Sequence, residues 1–158
     1  MNYNKIRRNS KEIKIGRVCI GGANKIAIQS MTNTDTCDSD ATISQIKALE
    51  GRGCDIVRIT VPDVSAADTV TKIKESGILI PIVADIHFDY KIALKCAELG
   101  IDKIRINPGN IGENAKIKAV ADKCTARSIP IRIGVNSGSV DKKILAKYGT
   151  ATAEALAE

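Results

Sequence analysis

The sequence has no tryptophan and one histidine, and its only aromatic rings are Tyr3, Phe88, Tyr90 and Tyr148. A surface that stacks bases needs more aromatic faces than this. The longest apolar run, Ile78 to Ala84, is seven residues long and contains Pro81. A membrane-spanning helix needs about 20 apolar residues, so a membrane protein is not expected. No apolar stretch follows Lys5, Arg7 and Arg8, so a secretory signal is not expected either. Five cysteines stand at positions 19, 37, 54, 96 and 124, with no CxxC pair. That spacing builds neither a disulfide framework nor a zinc site. Without a signal peptide, a reducing cytoplasm is the expected compartment.

What remains is an ordinary globular composition, 44% hydrophobic and 27% charged. The length of 158 residues suits one domain with a sizeable core. The net charge is +6. The basic residues are scattered, many on expected helix faces (Lys47, Lys72, Lys74, Lys95, Lys118, Lys123). A solvated surface accounts for them, and nucleic acid is not an expected partner. The excess does suit an anionic substrate.

One pattern recurs along the chain: a short apolar strand, a polar turn, then a stretch of helical period. The strand cores read as Ile26–Gln29, Ile56–Val61, Ile82–Ile86, Ile104–Ile106 and Ile131–Val135. Such alternation means βα units and a parallel sheet. Apolar stripes mark four helices: Ile43, Ile46 and Leu49; Ala66, Ala67, Val70 and Ile73; Ile92, Ala93 and Cys96; and Ile117, Val120, Ala121 and Cys124. Asp40 and Asp89 are expected N-caps, and Gly77 and Gly100 expected C-terminal stops. Ile13–Ile15 and Val18–Ile20 flank Gly16-Arg17 as a small hairpin. A last helix is expected to begin near Tyr148.

The sequence also repeats internally. Gly53, Asp55, Arg58 and Ile59 recur as Gly100, Asp102, Arg105 and Ile106, at an offset of 47. Ile80-Pro81-Ile82 recurs as Ile129-Pro130-Ile131. A (βα)₂ repeat suits a barrel built by duplication. Cys54 falls opposite Ile101 in the repeat, an apolar slot. Cys54, Cys96 and Cys124 therefore read as small buried hydrophobes.

Five βα units also suit a doubly wound, flavodoxin-like sheet. Such a sheet is covered by helices on both sides and needs two apolar faces. Here one parity is polar towards the strand ends: Arg58 with Thr60, Asp85 with His87, Arg105 with Asn107, Arg132 with Asn136. That is the inward-facing mouth of a (β/α) barrel. The expected fold class is thus α/β, a partial TIM (β/α)₈ barrel of about five βα units behind an N-terminal hairpin. A closed barrel takes about 250 residues. Residues 1–158 are accordingly expected to be the N-terminal part of a TIM-barrel substrate-binding domain, within a longer protein.

Three arginines, Arg58, Arg105 and Arg132, point into one mouth. Three like charges are costly to gather without partners. Asp85 is one partner, but one carboxylate does not neutralise three guanidiniums, so an anionic ligand is expected. The competing reading pairs each arginine with a loop carboxylate such as Asp63 or Asp89. Asp85 shares a face with His87 and is placed to orient its ring. Asn107 and Asn136 offer neutral hydrogen bonds to a hydroxylated ligand. Pro108-Gly109-Asn110-Ile111-Gly112 precedes a helix, where a glycine loop can cradle phosphate.

Four stretches carry a resemblance. They are Gln29-Ser30-Met31-Thr32-Asn33-Thr34-Asp35-Thr36, Val83-Ala84-Asp85-Ile86-His87-Phe88-Asp89-Tyr90, Arg105-Ile106-Asn107-Pro108-Gly109-Asn110-Ile111-Gly112 and Arg132-Ile133-Gly134-Val135-Asn136-Ser137-Gly138-Ser139. In this order they resemble the strand-end motifs of the 4-hydroxy-3-methylbut-2-enyl diphosphate synthases, over about Arg7 to Glu158. The resemblance implies an oxidoreductase of isoprenoid biosynthesis. It opens 2-C-methyl-D-erythritol 2,4-cyclodiphosphate reductively and removes water. Electrons arrive from flavodoxin or ferredoxin through a 4Fe-4S cluster. The resemblance implies that Arg58, Arg105 and Arg132 grip the diphosphate. Asp85, His87, Asn107 and Asn136 hold the polyol or complete the pocket. It places the cluster on three cysteines and a glutamate of a C-terminal domain, which Cys19, Cys37, Cys54, Cys96 and Cys124 do not match. It also implies a homodimer for the complete enzyme. No catalytic residue is assigned within this chain, and the chain by itself is expected to be inactive. The rival expectations are an anion-binding half-barrel without catalysis and a pterin-binding barrel related to dihydropteroate synthase.

Overall fold

The computed structural model describes residues 10–158. Lys5, Arg7, Arg8 and the beginning of the resemblance at Arg7 lie outside the described residues. The chain opens with the expected hairpin, β1 (Ile13–Ile15) against β2 (Val18–Ile20), with Ile15 opposite Val18. Gly16 makes its turn at φ 53°, a conformation that L side chains rarely adopt.

Five parallel strands follow: β3 (Gln29–Met31), β4 (Ile56–Thr60), β5 (Ile82–Ile86), β6 (Lys103–Ile106) and β7 (Ile131–Ile133). Each pairs with the next strand along the chain, in the order β3-β4-β5-β6-β7. A doubly wound sheet reverses its order at a switch point. This sheet never does, which is the barrel arrangement. Among the described residues β3 and β7 are its two edges.

The connecting helices are α1 (Ser39–Gly51), α2 (Val64–Glu75), α3 (Tyr90–Glu98), the short α4 (Pro108–Ile111) and α5 (Asn114–Ala126). Two cores lie on opposite faces of the sheet. The outer one joins Val57, Ile59, Ile82, Ala84, Ile86, Ile104 and Ile106 of the strands to Ile46, Val70, Ile73, Ile92, Cys96 and Cys124 of the helices. Each fully buried isoleucine there contributes roughly 1.5–3 kcal/mol. Ile46, Ala66, Ala67, Val70, Ile73, Ile92, Ala93, Cys96, Val120 and Cys124 from the expected stripes are buried. Cys54 is buried too, and all described cysteines are free thiols. The inner core is small. Ile15 of the hairpin meets Ile56 and Val83, plugging the N-terminal end of the inner face.

Asp89 caps α3 as expected, accepting from the Lys91 N–H at 2.8 Å. Gly77 and Gly100 follow α2 and α3 at φ 78° and 82°. Four expectations are corrected. The cap of α1 is Asp38, which accepts from the Ala41 N–H at 3.0 Å, so Asp40 lies inside the first turn. The first strand lies at 29–31 rather than 26–29, because the Ile28 N–H is taken by the Asp55 side chain instead of a strand partner, and Ile26 and Ile28 stand exposed. The last strand stops at Ile133 rather than Val135. The chain after it forms two helices rather than one beginning near Tyr148. These are α6 (Lys142–Tyr148), ended by Gly149 at φ 76°, and α7 (Ala153–Ala157), capped by Thr152. No helix among the described residues is long and apolar enough to cross a membrane.

Candidate functional site

Parallel pairing puts paired residues on the same face. Met31, Arg58, Val83 and Lys103 form one inner row across β3 to β6. Thr60, Asp85, Arg105 and Arg132 form the row above it, nearer the C-terminal strand ends. The upper row carries the charge expected at a barrel mouth.

Asp85 is the centre of this row and is only 4% exposed. Its Oδ1 accepts from Arg105 Nη1 at 3.1 Å. Its Oδ2 lies 3.5 Å from Arg58 Nε and 3.7 Å from His87 Nε2. Arg58 is steadied by its neighbour in the row, Met31, whose Sδ is 3.3 Å from Nε and 3.1 Å from Nη2. One carboxylate thus organises two guanidiniums and leaves a positive excess at the cluster. The competing carboxylates are otherwise engaged. Asp63 caps α2 through the Ala66 N–H at 2.8 Å, and Asp89 caps α3. The alternative pairing of the arginines with loop carboxylates does not form.

Arg105 reaches across the sheet from β6. Its guanidinium touches Asp85 on one side and lies over Gly134 on the other, where an added Cβ would come within 2.7 Å of Nε, Nη2 and Cζ. Arg132 is beside Arg105 in register but does not join the Asp85 cluster. It lines a lower cavity of about 300 Å³ with Lys103, Gln29, Ile15 and Ile20. Burial, and then the nearby Arg132 charge, lower the pKa of the Lys103 amine.

The two asparagines separate. Asn107 is buried, and both ends of its amide are engaged. Oδ1 accepts from the Gly109 N–H at 3.1 Å as the cap of α4, and Nδ2 donates to Ser139 Oγ at 2.7 Å. Ser139 Oγ in turn donates to the Asn136 carbonyl at 2.9 Å. Asn136 itself is exposed at the start of a short 3₁₀ turn, Ser137–Ser139. Asn107 therefore ties the loop after β6 to the turn after β7, and a cavity of about 500 Å³ opens beside that junction.

The structure brings Arg58, Asp85, His87 and Arg105 together. It sets Arg132 below them and Asn107 and Asn136 at the rim. Met31 and Gly134 join the site although the sequence alone singles out neither. Met31 falls in the first motif stretch, and its parity with Arg58 is its one sequence signal. A 4Fe-4S cluster needs ligands, mostly thiolates, converging on it. No three His, Cys, Asp or Glu residues among those described are grouped to hold a metal. The described residues therefore do not fit the cluster.

Comparison with known proteins agrees with this architecture. The sequence profile of the GcpE TIM-barrel domain matches residues 10–158. The 4-hydroxy-3-methylbut-2-en-1-yl diphosphate synthase (flavodoxin) of Pseudomonas aeruginosa (strain LESB58) is 58% identical over 153 residues, covering 97% of this chain and 41% of that protein. The protein of the same name from Caldanaerobacter subterraneus subsp. tengcongensis is 58% identical over 154 residues, covering 98% and 43%. The chain thus spans about two-fifths of the length of these curated relatives. Among solved structures, a Xanthomonas albilineans dihydropteroate synthase superposes with a TM-score of 0.60 at 9% identity, over 86% of this chain and 54% of that one. That likeness is one of fold alone. An unreversed parallel sheet with charge at its mouth, and a profile matched over nearly its whole length, put the chain in one family: it belongs to the GcpE TIM-barrel domain family.

Proposed function

We propose that this chain carries the diphosphate-binding part of a 4-hydroxy-3-methylbut-2-enyl diphosphate synthase. The reaction opens 2-C-methyl-D-erythritol 2,4-cyclodiphosphate with two electrons and releases water. The observation that carries this reading is the Arg58–Asp85–Arg105 cluster. Two guanidiniums share one buried carboxylate, so they are held in place yet keep donors and charge for an anion. Planar guanidinium forks match phosphate oxygens. Arg58 and Arg105 hold the diphosphate, and Asp85 keeps both forks oriented. His87, half-exposed beside Asp85, faces the reacting end. Asn107 shapes the rim, Asn136 offers an exposed amide to the polyol, and Arg132 adds positive potential from below.

The relatives are named as flavodoxin-dependent. A flavodoxin or ferredoxin donor, the 4Fe-4S cluster, a homodimer and a cytoplasmic location are proposed for the full-length protein. The test is calorimetric titration of full-length protein with the cyclodiphosphate. Arg105→Ala is expected to weaken binding by roughly 2–4 kcal/mol, the scale of removing a charge-assisted hydrogen bond from a buried network. Unchanged affinity would make the arginine structural and remove the basis of this reading.

A further inference from the structure

Glycine is required in a fold for one of two reasons: a backbone conformation closed to other residues, or a lack of room for a Cβ. Gly134 is of the second kind. Its φ is outside the left-handed region, unlike that of Gly16, Gly77 or Gly100. Its N–H donates to the Ile106 carbonyl at 2.9 Å, continuing the β6–β7 pairing. The backbone at this position would accept any L residue. What it lacks is space, and all three atoms nearest to an added Cβ belong to one group, the Arg105 guanidinium.

The three atoms are Nε, Nη2 and Cζ. The Cβ would therefore meet the half of the guanidinium that Asp85 does not use, since Asp85 takes Nη1. Arg105 is a flexible side chain whose tip can swing away, whereas a fixed backbone neighbour could not. A side chain at 134 would be accommodated by displacing Arg105, at the cost of loosening its contact with Asp85 rather than by moving the backbone.

We propose that Gly134 is a positioning residue for Arg105. Its missing side chain is the space that lets the guanidinium lie between β5 and β7, with one end on Asp85 and its Nε–Nη2 side against the glycine, so that its charge is held in place for an anion. The inference rests on the proposed diphosphate site and adds a specific requirement to it. Glycine at 134 serves ligand binding, and the glycines at positive φ serve the chain.

The experiment is a double-mutant cycle in full-length protein: wild type, Gly134→Ala, Arg105→Ala and the double variant. Each is titrated with the cyclodiphosphate and unfolded thermally. Gly134→Ala is expected to weaken binding by about 10- to 100-fold, the size of one or two charge-assisted hydrogen bonds, while its loss of Tm is no larger than that of Arg105→Ala. In the Arg105→Ala background the same substitution is expected to change affinity less than about twofold, because its target is gone. Additive losses, or a Gly134→Ala variant that binds normally while Arg105→Ala does not, would overturn the role of Gly134 and leave the diphosphate site standing. Normal binding by Arg105→Ala would overturn the site itself. If Gly134→Ala unfolds, the double variant decides. Recovery of the fold when Arg105 is also removed supports the proposal, and persistent unfolding assigns the glycine to the backbone.

Discussion

Asp55 and Asp102, counterparts in the internal repeat and 47 positions apart, do the same structural work. Each turns Oδ2 to a backbone N–H on the neighbouring, preceding strand segment: Ile28 for Asp55 and Ile82 for Asp102, both at 2.8 Å. Each also receives a lysine, Lys25 at 2.9 Å and Lys74 at 2.5 Å. The aspartate thus pins the start of one strand to the next and sets the register. With register fixed, Arg58 and Arg105, three residues further on in each copy, arrive on either side of Asp85.

Asp102→Ala should therefore destabilise the protein beyond the loss of a surface charge. The Ile82 N–H would lose its partner where β5 begins, and the Asp102 side chain is mostly buried. A hydrogen bond to a charged group contributes about 1.5–3 kcal/mol, and a loss of that order is expected in urea denaturation. A cost below about 0.5 kcal/mol would show that the register is held without it.

Asp55 leads to a pH prediction. The Ile28 N–H and then Lys25 stabilise its ionised form and lower its pKa from the usual 3.8. A depressed carboxylate contributes stability that is present above its unfolded value and lost as pH falls through the folded one. Native protein should hold this contribution at neutral pH and lose it on acidification below about 3.8. Asp55→Asn should be less stable at pH 7 and show a smaller loss between pH 5 and about pH 3. Identical acid-denaturation curves would argue against the coupling.

Much of the fold is legible in the sequence because the relevant signals are local. The hairpin shows in the alternation around Gly16-Arg17, and β5 in an unbroken apolar run ending at the polar Asp85. The first barrel strand is harder to place because Ile26 and Ile28 are apolar, and composition does not reveal that they stand exposed. The cap of α1 is ambiguous because Asp35, Asp38 and Asp40 stand close together, and only backbone geometry selects Asp38. Asn107 reads as a free hydrogen-bonding group because its partner, Ser139, lies 32 positions away. Gly134 falls in the fourth motif stretch, but nothing local shows its constraint, which comes from Arg105 on another strand.

The cysteines should divide by exposure. Cys54, Cys96 and Cys124 are buried, Cys19 is half-buried and Cys37 exposed. Burial pushes the Cys96 thiol up to about 12 and raises that of Cys124, so neither supplies the reactive thiolate near neutrality. Desolvation and then the Asp63 and Asp35 charges also raise the Cys37 thiol, but a thiol reagent at pH 8 should still reach Cys37 and Cys19 in the native protein. Cys54, Cys96 and Cys124 should react only when the protein is unfolded in urea. Rapid labelling of Cys96 in native protein, located by peptide mass spectrometry, would contradict its place in the outer core.

Asp85→Asn separates the carboxylate's shape from its charge. An asparagine oxygen can still accept from Arg105 Nη1, but Arg58 and Arg105 would lose their shared counter-ion. Removing one partner of a buried pair costs about 3–5 kcal/mol in general. Here the arginines keep some access to water, at 26% and 12% side-chain exposure, so a loss of about 2–3 kcal/mol is expected in chloride buffer. An added anion that binds the folded site then substitutes for the missing carboxylate and stabilises by mass action. Inorganic diphosphate should raise the Tm of Asp85→Asn more than that of wild type, whereas the same ionic strength of chloride should not. An equal response in both proteins would mean that Asp85 holds the arginines for the fold alone. A larger response in the variant would show that a bound anion supplies the negative charge that the two guanidiniums lose with Asp85.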